Sequence, residues 1–334
     1  MTLRVIKPGT LTTLQDRGRH GHQHLGVVVG GAMDEWAHRT ANILVNNPEE
    51  ETTLEITLQG PTLEFVETTL MALCGARFDA HIGTVRVPAN RPVLVRAGSR
   101  LETGHCEAGA RAYLAVAGGF DIADIMGSKS TYLAGAFGGF QGRALRKNDV
   151  LTTRESPTDL YPHLHRRLHD GAAAFVATQF GVESMLHHMA PDVQTVHIME
   201  GRHWQRFGPE VQGLVLNSEF TVSVESDRMG YRLDGPALIA QSPTKMISES
   251  VGFGTIQVPN DGQPIILMAD RQTTGGYPKF AHVASVDWPL LAQLQPRQRL
   301  RFALISLADA QKMYLEREHK IRLVREAVAQ KRKE

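Results

Sequence analysis

The 334-residue chain carries 36 basic and 35 acidic side chains, a formal net charge of +1, with 42% hydrophobic and 21% charged residues. Such a composition fits an ordinary globular chain of two domains or one large one, and the near-zero charge leaves no global field for nucleic acid or a membrane surface. No run reaches the roughly 18 apolar residues of a membrane span, and Cys74 and Cys106 are too few and too separated for a disulfide framework or a zinc knuckle.

The first residues, MTLRVIKPGT, read as a strand and a turn without an apolar signal core, so mature sequence and a cytoplasmic location are expected. After Gly30-Gly31, the residues Met33, Trp36, Ala37, Ala41 and Leu44 fall at helical spacing, and Asn46-Asn47-Pro48 ends the helix. Short apolar runs bounded by turn residues follow at 62–67, 84–88, 92–98 and 111–119. A His-rich stretch at 157–191 marks a composition shift and reads as irregular. Runs at 220–226, 254–259 and 264–270 then repeat the strand pattern. From about Ala308 the chain is helix-forming and highly charged, an exposed or frayed terminal helix, with a partner-docking or anion-binding tail as the alternative. The fold class is therefore mainly β, a β-rich α+β protein. The domains expected are 1–160, 190–305 and a charged helix over 306–334.

The chain also repeats itself. GTVRVPANRPVLVRA at 83–97 aligns with GTIQVPNDGQPIILMA at 254–269 with one inserted residue. The Gly60-Pro61 pair in LQGPTLEF answers Gly235-Pro236 in LDGPALIA. Two similarly built domains follow from such an internal duplication.

Polar loops carry the candidate chemistry. TTLQDRGRHGHQHLG at 12–26 packs Gln15, Asp16, Arg17 and Arg19 among glycines, either a surface loop with an internal Asp–Arg pair or a site for carboxylate or phosphate. Asp227-Arg228-Met229-Gly230 faintly echoes it. Asp34 stands where it could cap the helix or position a substrate. QTTGGYPK at 272–279 groups Gln272, Thr273, Thr274, Gly275, Gly276 and Tyr277 directly after a strand, either a hairpin turn or an anion-binding loop. It is not a P-loop. GGFQGR at 138–143 reads as a flexible loop, with a phosphate cradle as the alternative. The histidines at 163, 165, 169, 187 and 188 lack metal-ligand spacing, so no metal site is expected. Lys245-Met246 lacks the flanks of a biotin attachment site, so no covalent biotin is expected on this chain. From the residues alone, a small anionic or amide-bearing ligand is implied, and no reaction is named.

QDRGR at 15–19, GAMD at 31–34, RAYLAVAGGF at 111–120, SDRMGYRL at 226–233, GTIQVPNDGQP at 254–264 and QTTGGYP at 272–278 resemble the biotin-dependent carboxyltransferase family, also called allophanate hydrolase subunit 2. Its bacterial members include the C-subunit of 5-oxoprolinase and the antagonist of the kinase inhibitor of sporulation. The resemblance implies two cyclophilin-like β-barrel domains. It also implies a direct complex with a B-subunit, and a third, hydrolase-like A-subunit, converting 5-oxoproline to L-glutamate with ATP hydrolysis. The ATP site, with magnesium where a metal accompanies the nucleotide, could lie on or with the B-subunit. Other members move a carboxyl group from biotin to a urea-like amide, or act as non-catalytic antagonists of a kinase inhibitor.

On that resemblance Arg19, Arg228, Thr273, Thr274, Gly275 and Gly276 are the expected donors to an amide or phosphate. Asp16, Asp34 and Asp270 are candidate carboxylates, for proton handling or for a metal bound with ATP. Gln15, Gln257, Gln263 and Gln272 would orient the amide, with Tyr277 beside them.

Overall fold

A computed structural model of the chain describes residues 2–155, 160–189, 192–241 and 246–332. It resolves into two compact units that interleave in sequence. The first unit takes Met1–Arg19, Asp34–His187 and His319–Glu334, and the second takes His20–Met33 and His188–Glu318. Sequence composition divides the chain into consecutive stretches, because nothing in residues 20–33 announces a distant partner. The structure supplies the reason. Gly30 N donates to Ala269 O at 3.2 Å, and Met33 is buried in the second unit's core.

Ten strands make one branched sheet in the first unit. Its spine is the antiparallel pair Thr69–Ile82 and Arg100–Val116. Outward from Thr69–Ile82 lie Val93–Val95 and then Phe175–Ala177. Outward from Arg100–Val116 lie Thr62–Phe65, Thr2–Lys7 and Val150–Thr152. Thr53–Thr57 also pairs with Arg100–Val116 and carries Leu11–Gln15 on its far edge. Alternate residues such as Leu3, Val5, Leu63 and Phe65 face inward and are fully buried, the period-two pattern of a strand with one covered face. The helix Glu35–Leu44 lies against the spine. Gly75 permits that approach, since a Cβ there would stand 2.6 Å from Arg111 O and 3.2 Å from the Ala37 methyl.

In the second unit seven strands close into a barrel. The order is Val193–Glu200, Lys279–Val283, Thr255–Gln257, Ile265–Leu267, Gly230–Asp234, Glu219–Val222 and Arg299–Leu304. A parallel ladder from Val193↔Arg299 to Ile198↔Leu304 closes it. Closure leaves no unpaired edge among these strands. Its interior is aromatic, with the Trp204 and Phe280 rings 4.5 Å apart and Phe207 edge-on to Phe280 at 5.0 Å. The fold is thus strand-rich mixed α and β with one closed barrel. In the first unit no ladder among the described residues joins the outer strands Phe175–Ala177 and Val150–Thr152, so its sheet stays open there.

The repeat is visible in three dimensions. Aligned positions form strands in both copies: Val85–Arg86 answers Ile256–Gln257, and Val93–Val95 answers Ile265–Leu267. Both copies open on a glycine in the left-handed region, Gly83 at φ 61° and Gly254 at φ 77°. The Gly-Pro pairs diverge. Thr62–Phe65 is a strand, while residues 237–240 are not. A Cβ on Gly60 would stand 2.2 Å from the Thr103 carbonyl oxygen, whereas one on Gly235 would meet the Phe220 ring at 2.5 Å. Gly60→Ala is therefore expected to destabilise the chain by about 1–3 kcal/mol through backbone displacement, read by urea unfolding.

Three stretches differ from their sequence reading. The His-rich stretch contains the helix Pro162–Asp170, which starts on a proline at its first turn and buries Leu164 and Leu168 one turn apart. GGFQGR is packed: a Cβ on Gly142 would sit 2.1 Å from Ala136 backbone atoms, and Gly142 N donates to Gly138 O at 2.8 Å. The terminal helix Leu307–Lys331 buries Ala310, Arg317, Ile321 and Val328, a sparse stripe hidden by the surrounding charge. No helix among the described residues is long and apolar enough to cross a membrane.

Candidate functional site

Polar residues gather at two places in the first unit. Asp16, at the end of Leu11–Gln15, accepts hydrogen bonds from Ser130 Oγ at 2.5 Å, Lys129 N at 2.6 Å, Ser128 Oγ at 2.7 Å and Gly18 N at 2.8 Å. Burial alone would raise its pKa, but these bonds outweigh it and hold the carboxyl below its ordinary range. Arg19 is fully buried, its Nε donating to Ile125 O at 2.7 Å and Nη2 to Ser128 O and Ser130 O at 3.2 Å, with its guanidinium over the Phe137 ring. Its Nη1 has no partner among the described residues. Both ends of QDRGR thus clamp residues 125–130, more than a hundred residues away. Gln15 Nε2 donates to Thr13 Oγ1 at 3.0 Å and Thr131 O at 3.2 Å, while its buried Oε1 has no partner among the described residues.

The second gathering sits under the helix Glu35–Leu44. Asp34 caps it, accepting from Ala37 N at 2.9 Å, and Asp34 N donates to Tyr113 Oη at 2.8 Å. Tyr113 in turn donates to Glu55 Oε2 at 2.8 Å, with burial as the main cause of a phenol pKa well above normal. His38 is fully buried, Nδ1 lying 2.8 Å from Thr53 Oγ1. Burial, opposed by the charges of Asp16, Glu35 and Glu55, leaves its pKa at about 4. Burial likewise pushes the Cys74 thiol up, so it is no nucleophile.

In the second unit Arg228 and Asp270 form a buried two-point pair, Nε to Oδ2 at 2.8 Å and Nη2 to Oδ1 at 3.0 Å. Nη2 also donates to Gly31 O at 2.7 Å, and Asp270 N donates to Arg228 O at 2.8 Å. The two motifs SDRMG and DRQTTGGYP are locked together by one ion pair, and the segment 20–33 is pinned to it. Both charges are engaged by the fold.

The QTTGGYP loop is the open part. Thr274–Gly275 pairs with Glu249–Ser250, and Gln272, Thr274, Gly276 and Tyr277 are exposed. Behind them Lys279 is buried, its Nζ donating to Ser250 O at 2.7 Å and to Glu249 Oε2 at 2.9 Å. Lys279 N donates to His203 Nδ1 at 3.0 Å, which leaves the His203 proton on Nε2. Burial first, then Arg206, lowers the His203 pKa. Gln257 is 1% exposed, and its Nε2 has no partner among the described residues. A Cβ on Gly275 would stand 2.5 Å from that Nε2, so glycine lets the amide lie against the loop. Gln263 instead exchanges hydrogen bonds with the Gly235 peptide and serves the turn. Exposed hydroxyls over a buried ammonium and a spare amide donor suit an oxyanion or an amide carbonyl. No group of three or more His, Cys, Asp or Glu among the described residues could hold a metal ion, and Lys245 lies outside those residues.

Residues 25–304 match the family described as carboxyltransferase domain, subdomain A and B. The chain belongs to that carboxyltransferase family. It is similar to the 5-oxoprolinase C-subunit of Haemophilus influenzae, 34% identical over 319 residues and covering 96% of each chain. It is also similar to that of Escherichia coli, 36% identical over 310 residues and covering 93% of each. Among solved structures it resembles the Kluyveromyces lactis urea carboxylase at TM-score 0.84 and 27% identity, covering 97% of this chain and 29% of that one. Within this carboxyltransferase domain, sequence reading missed Glu249, Lys279, His203 and the His38–Tyr113–Glu55 group. Lys279 carried a signal, since it closes QTTGGYPK. Of the others, Glu249, Glu55 and Tyr113 lie in strands, His38 in the helix Glu35–Leu44 and His203 in a turn, and only folding brings them to their partners.

Proposed function

We propose that this chain acts as the C-subunit of an ATP-dependent 5-oxoprolinase, working with an A-subunit and a B-subunit to convert 5-oxoproline to L-glutamate. The observation that carries the reading is the match in length: the relatives named as 5-oxoprolinase C-subunits align over 96% and 93% of their own chains, whereas the urea carboxylase is matched over 29% of its chain. A chain that aligns over nearly the whole of such a relative fits a role beside separate partners. The compartment is the cytoplasm, and the partners are the B-subunit, in direct complex, and the A-subunit.

Opening the lactam adds water across the ring C–N bond, and the amide resists attack until its oxygen is activated. The QTTGGYP loop would receive the lactam carbonyl or the group transferred to it, with Thr273, Thr274 and the Gly275 and Gly276 amides as donors. Lys279, held in its ion pair with Glu249, and Gln257 would stand behind them as a fixed ammonium donor and a spare amide. Arg228 and Asp270 hold the loop's base rigid, while Asp16, Arg19 and Asp34 order the first unit. The glycine-rich run at 138–142 does not fit a nucleotide's phosphates, because its backbone is already packed against Ser130, Thr131 and Ala136. ATP is a co-substrate whose site is sought with the B-subunit. Both units descend from one duplicated, cyclophilin-like unit on this reading.

Phosphate release from ATP by the chain mixed with its two cognate partners, with and without 5-oxoproline, tests the proposal. Substrate-dependent release with glutamate formed, lost when this chain is omitted, is the expected result. Release indifferent to the omission would overturn it. The urea carboxylase likeness keeps one rival, carboxyl transfer with biotin supplied in trans, and inhibition by avidin would mark it. In the same assay Gly275→Ala is expected to lower kcat/KM at least about tenfold with little change in Tm. The displaced atom is the end of a flexible glutamine side chain, not backbone.

A further inference from the structure

The first unit holds a cavity of about 600 Å³ beside the end of the terminal helix, and no element of the proposed reaction uses it. Three pieces of chain build it. Arg17 comes from QDRGR, Arg39 from the helix Glu35–Leu44, Arg325 from the last turns of the terminal helix Leu307–Lys331, and Arg332 from the turn directly after it. Arg325, Val328 and Arg332 recur three and four residues apart, and Arg332 N still donates to Val328 O at 3.0 Å, so the last turn and its exit supply two guanidinium groups and an apolar contact between them. Val328 is 4% exposed, which shows that this turn is docked and not frayed.

The charge is unbalanced. Four guanidinium groups line the cavity against two carboxylates, Glu49 and Glu50. Glu49 is shared, accepting from Arg39 Nε at 2.6 Å and contacting Arg325. Arg17 and Arg39 also meet Glu35, at 2.5 and 3.7 Å. Arg332 has no ion pair among the described residues. A guanidinium facing a concave, partly apolar space with no carboxylate of its own presents its planar fork to whatever anion enters.

We infer that this cavity binds a small anion through carboxylate or phosphate oxygens, held by Arg325 of the terminal helix and Arg332 just beyond it, together with Arg17. Arg39, buried and already engaged by Glu49, sets the floor. The fork geometry suits either anion type. An amino-acid carboxylate and inorganic phosphate share this chemistry, and both are at hand where glutamate is made with ATP hydrolysis. The site does not depend on that reaction, since the isolated chain contains every group that builds it.

Titration calorimetry of the full chain with inorganic phosphate and, separately, with L-glutamate tests the inference. Binding of either probe that weakens at least about tenfold in Arg325→Gln/Arg332→Gln and fades with rising salt is the expected result. Arg332→Gln alone guards against misfolding, because its side chain holds no ion pair among the described residues, and it is expected to weaken binding in the same direction. Arg167→Gln, in a neighbouring cavity lined by His163 and Lys331, is expected to bind as the parent does. Saturation by phosphate alone or by glutamate alone identifies the anion. Absence of binding by both probes, equal binding by parent and Arg332→Gln, or equal loss in Arg167→Gln would overturn the assignment.

Discussion

Arg228→Ala is expected to cost about 3–5 kcal/mol of stability, because it strips a buried carboxylate of its counter-charge. Arg228 and Asp270 are each 4% exposed, so a carboxylate left alone there is largely cut off from water. The same substitution removes the donor to Gly31 O, so the segment 20–33 loses an anchor as well. Read as a donor to an amide or phosphate, Arg228 would be lost at the expense of turnover alone, with the fold intact. The geometry changes that expectation, since both of its donating nitrogens in the pair are committed within the fold. Urea unfolding of the isolated chain decides the matter. A shift in ΔG below about 1 kcal/mol would show that the pair is not a structural tie. Replacing both partners with apolar residues of similar volume is expected to recover much of the loss, because neither charge is then left unpaired.

That pair also shows where sequence reading reaches its limit. The strands are legible because alternation and turn residues are local, and the helix Glu35–Leu44 is legible because Asp34 sits at its cap. The duplicated GT-x-x-VP units mark strands at matching positions, and the QTTGGYP loop stands out by composition. The meaning of the charged motifs does not. Asp16 commits its carboxylate to Ser128, Lys129 and Ser130, and Lys279 commits its ammonium to Glu249, partners separated by about a hundred and by thirty residues. A motif of polar residues and glycines looks the same whether its donors face a ligand or a distant loop. The terminal helix misleads for the opposite reason. Its buried positions 310, 317, 321 and 328 are too sparse to outweigh the charge around them, and only docking reveals the stripe.

Stability is expected to fall by roughly 3 kcal/mol between about pH 6.5 and pH 4 through His38 alone, since its folded pKa is about 4 against an unfolded value near 6.5. Above pH 6.5 the ring is neutral in both states and contributes no slope. As pH falls through that window the unfolded chain takes up a proton that the folded chain refuses, so unfolding is favoured. Below pH 4 both states bind the proton and the His38 contribution levels off. The structural cause is specific. Thr53 Oγ1 donates to Gln15 O at 3.4 Å, so His38 Nδ1 carries the hydrogen that Thr53 accepts, and the added proton must go to Nε2. Nε2 is buried and has no acceptor among the described residues. His203 and His282, lowered chiefly by burial, add to the same limb. Asp16 acts at lower pH: its folded pKa lies below the unfolded value, so its stabilisation is complete above about pH 4 and is lost as pH falls through the depressed folded value. His38→Asn should therefore flatten part of the limb between pH 6.5 and 4 and leave the acid end alone. Asp16→Asn should instead flatten the acid end and, by removing a charge that raises the His38 pKa, push the His38 limb to lower pH, at a cost in stability at neutral pH from a weakened set of four hydrogen bonds. Urea midpoints measured from pH 4 to 8 for the parent and His38→Asn read the first effect directly, and parallel curves for the two proteins would show that His38 is protonated in the folded chain.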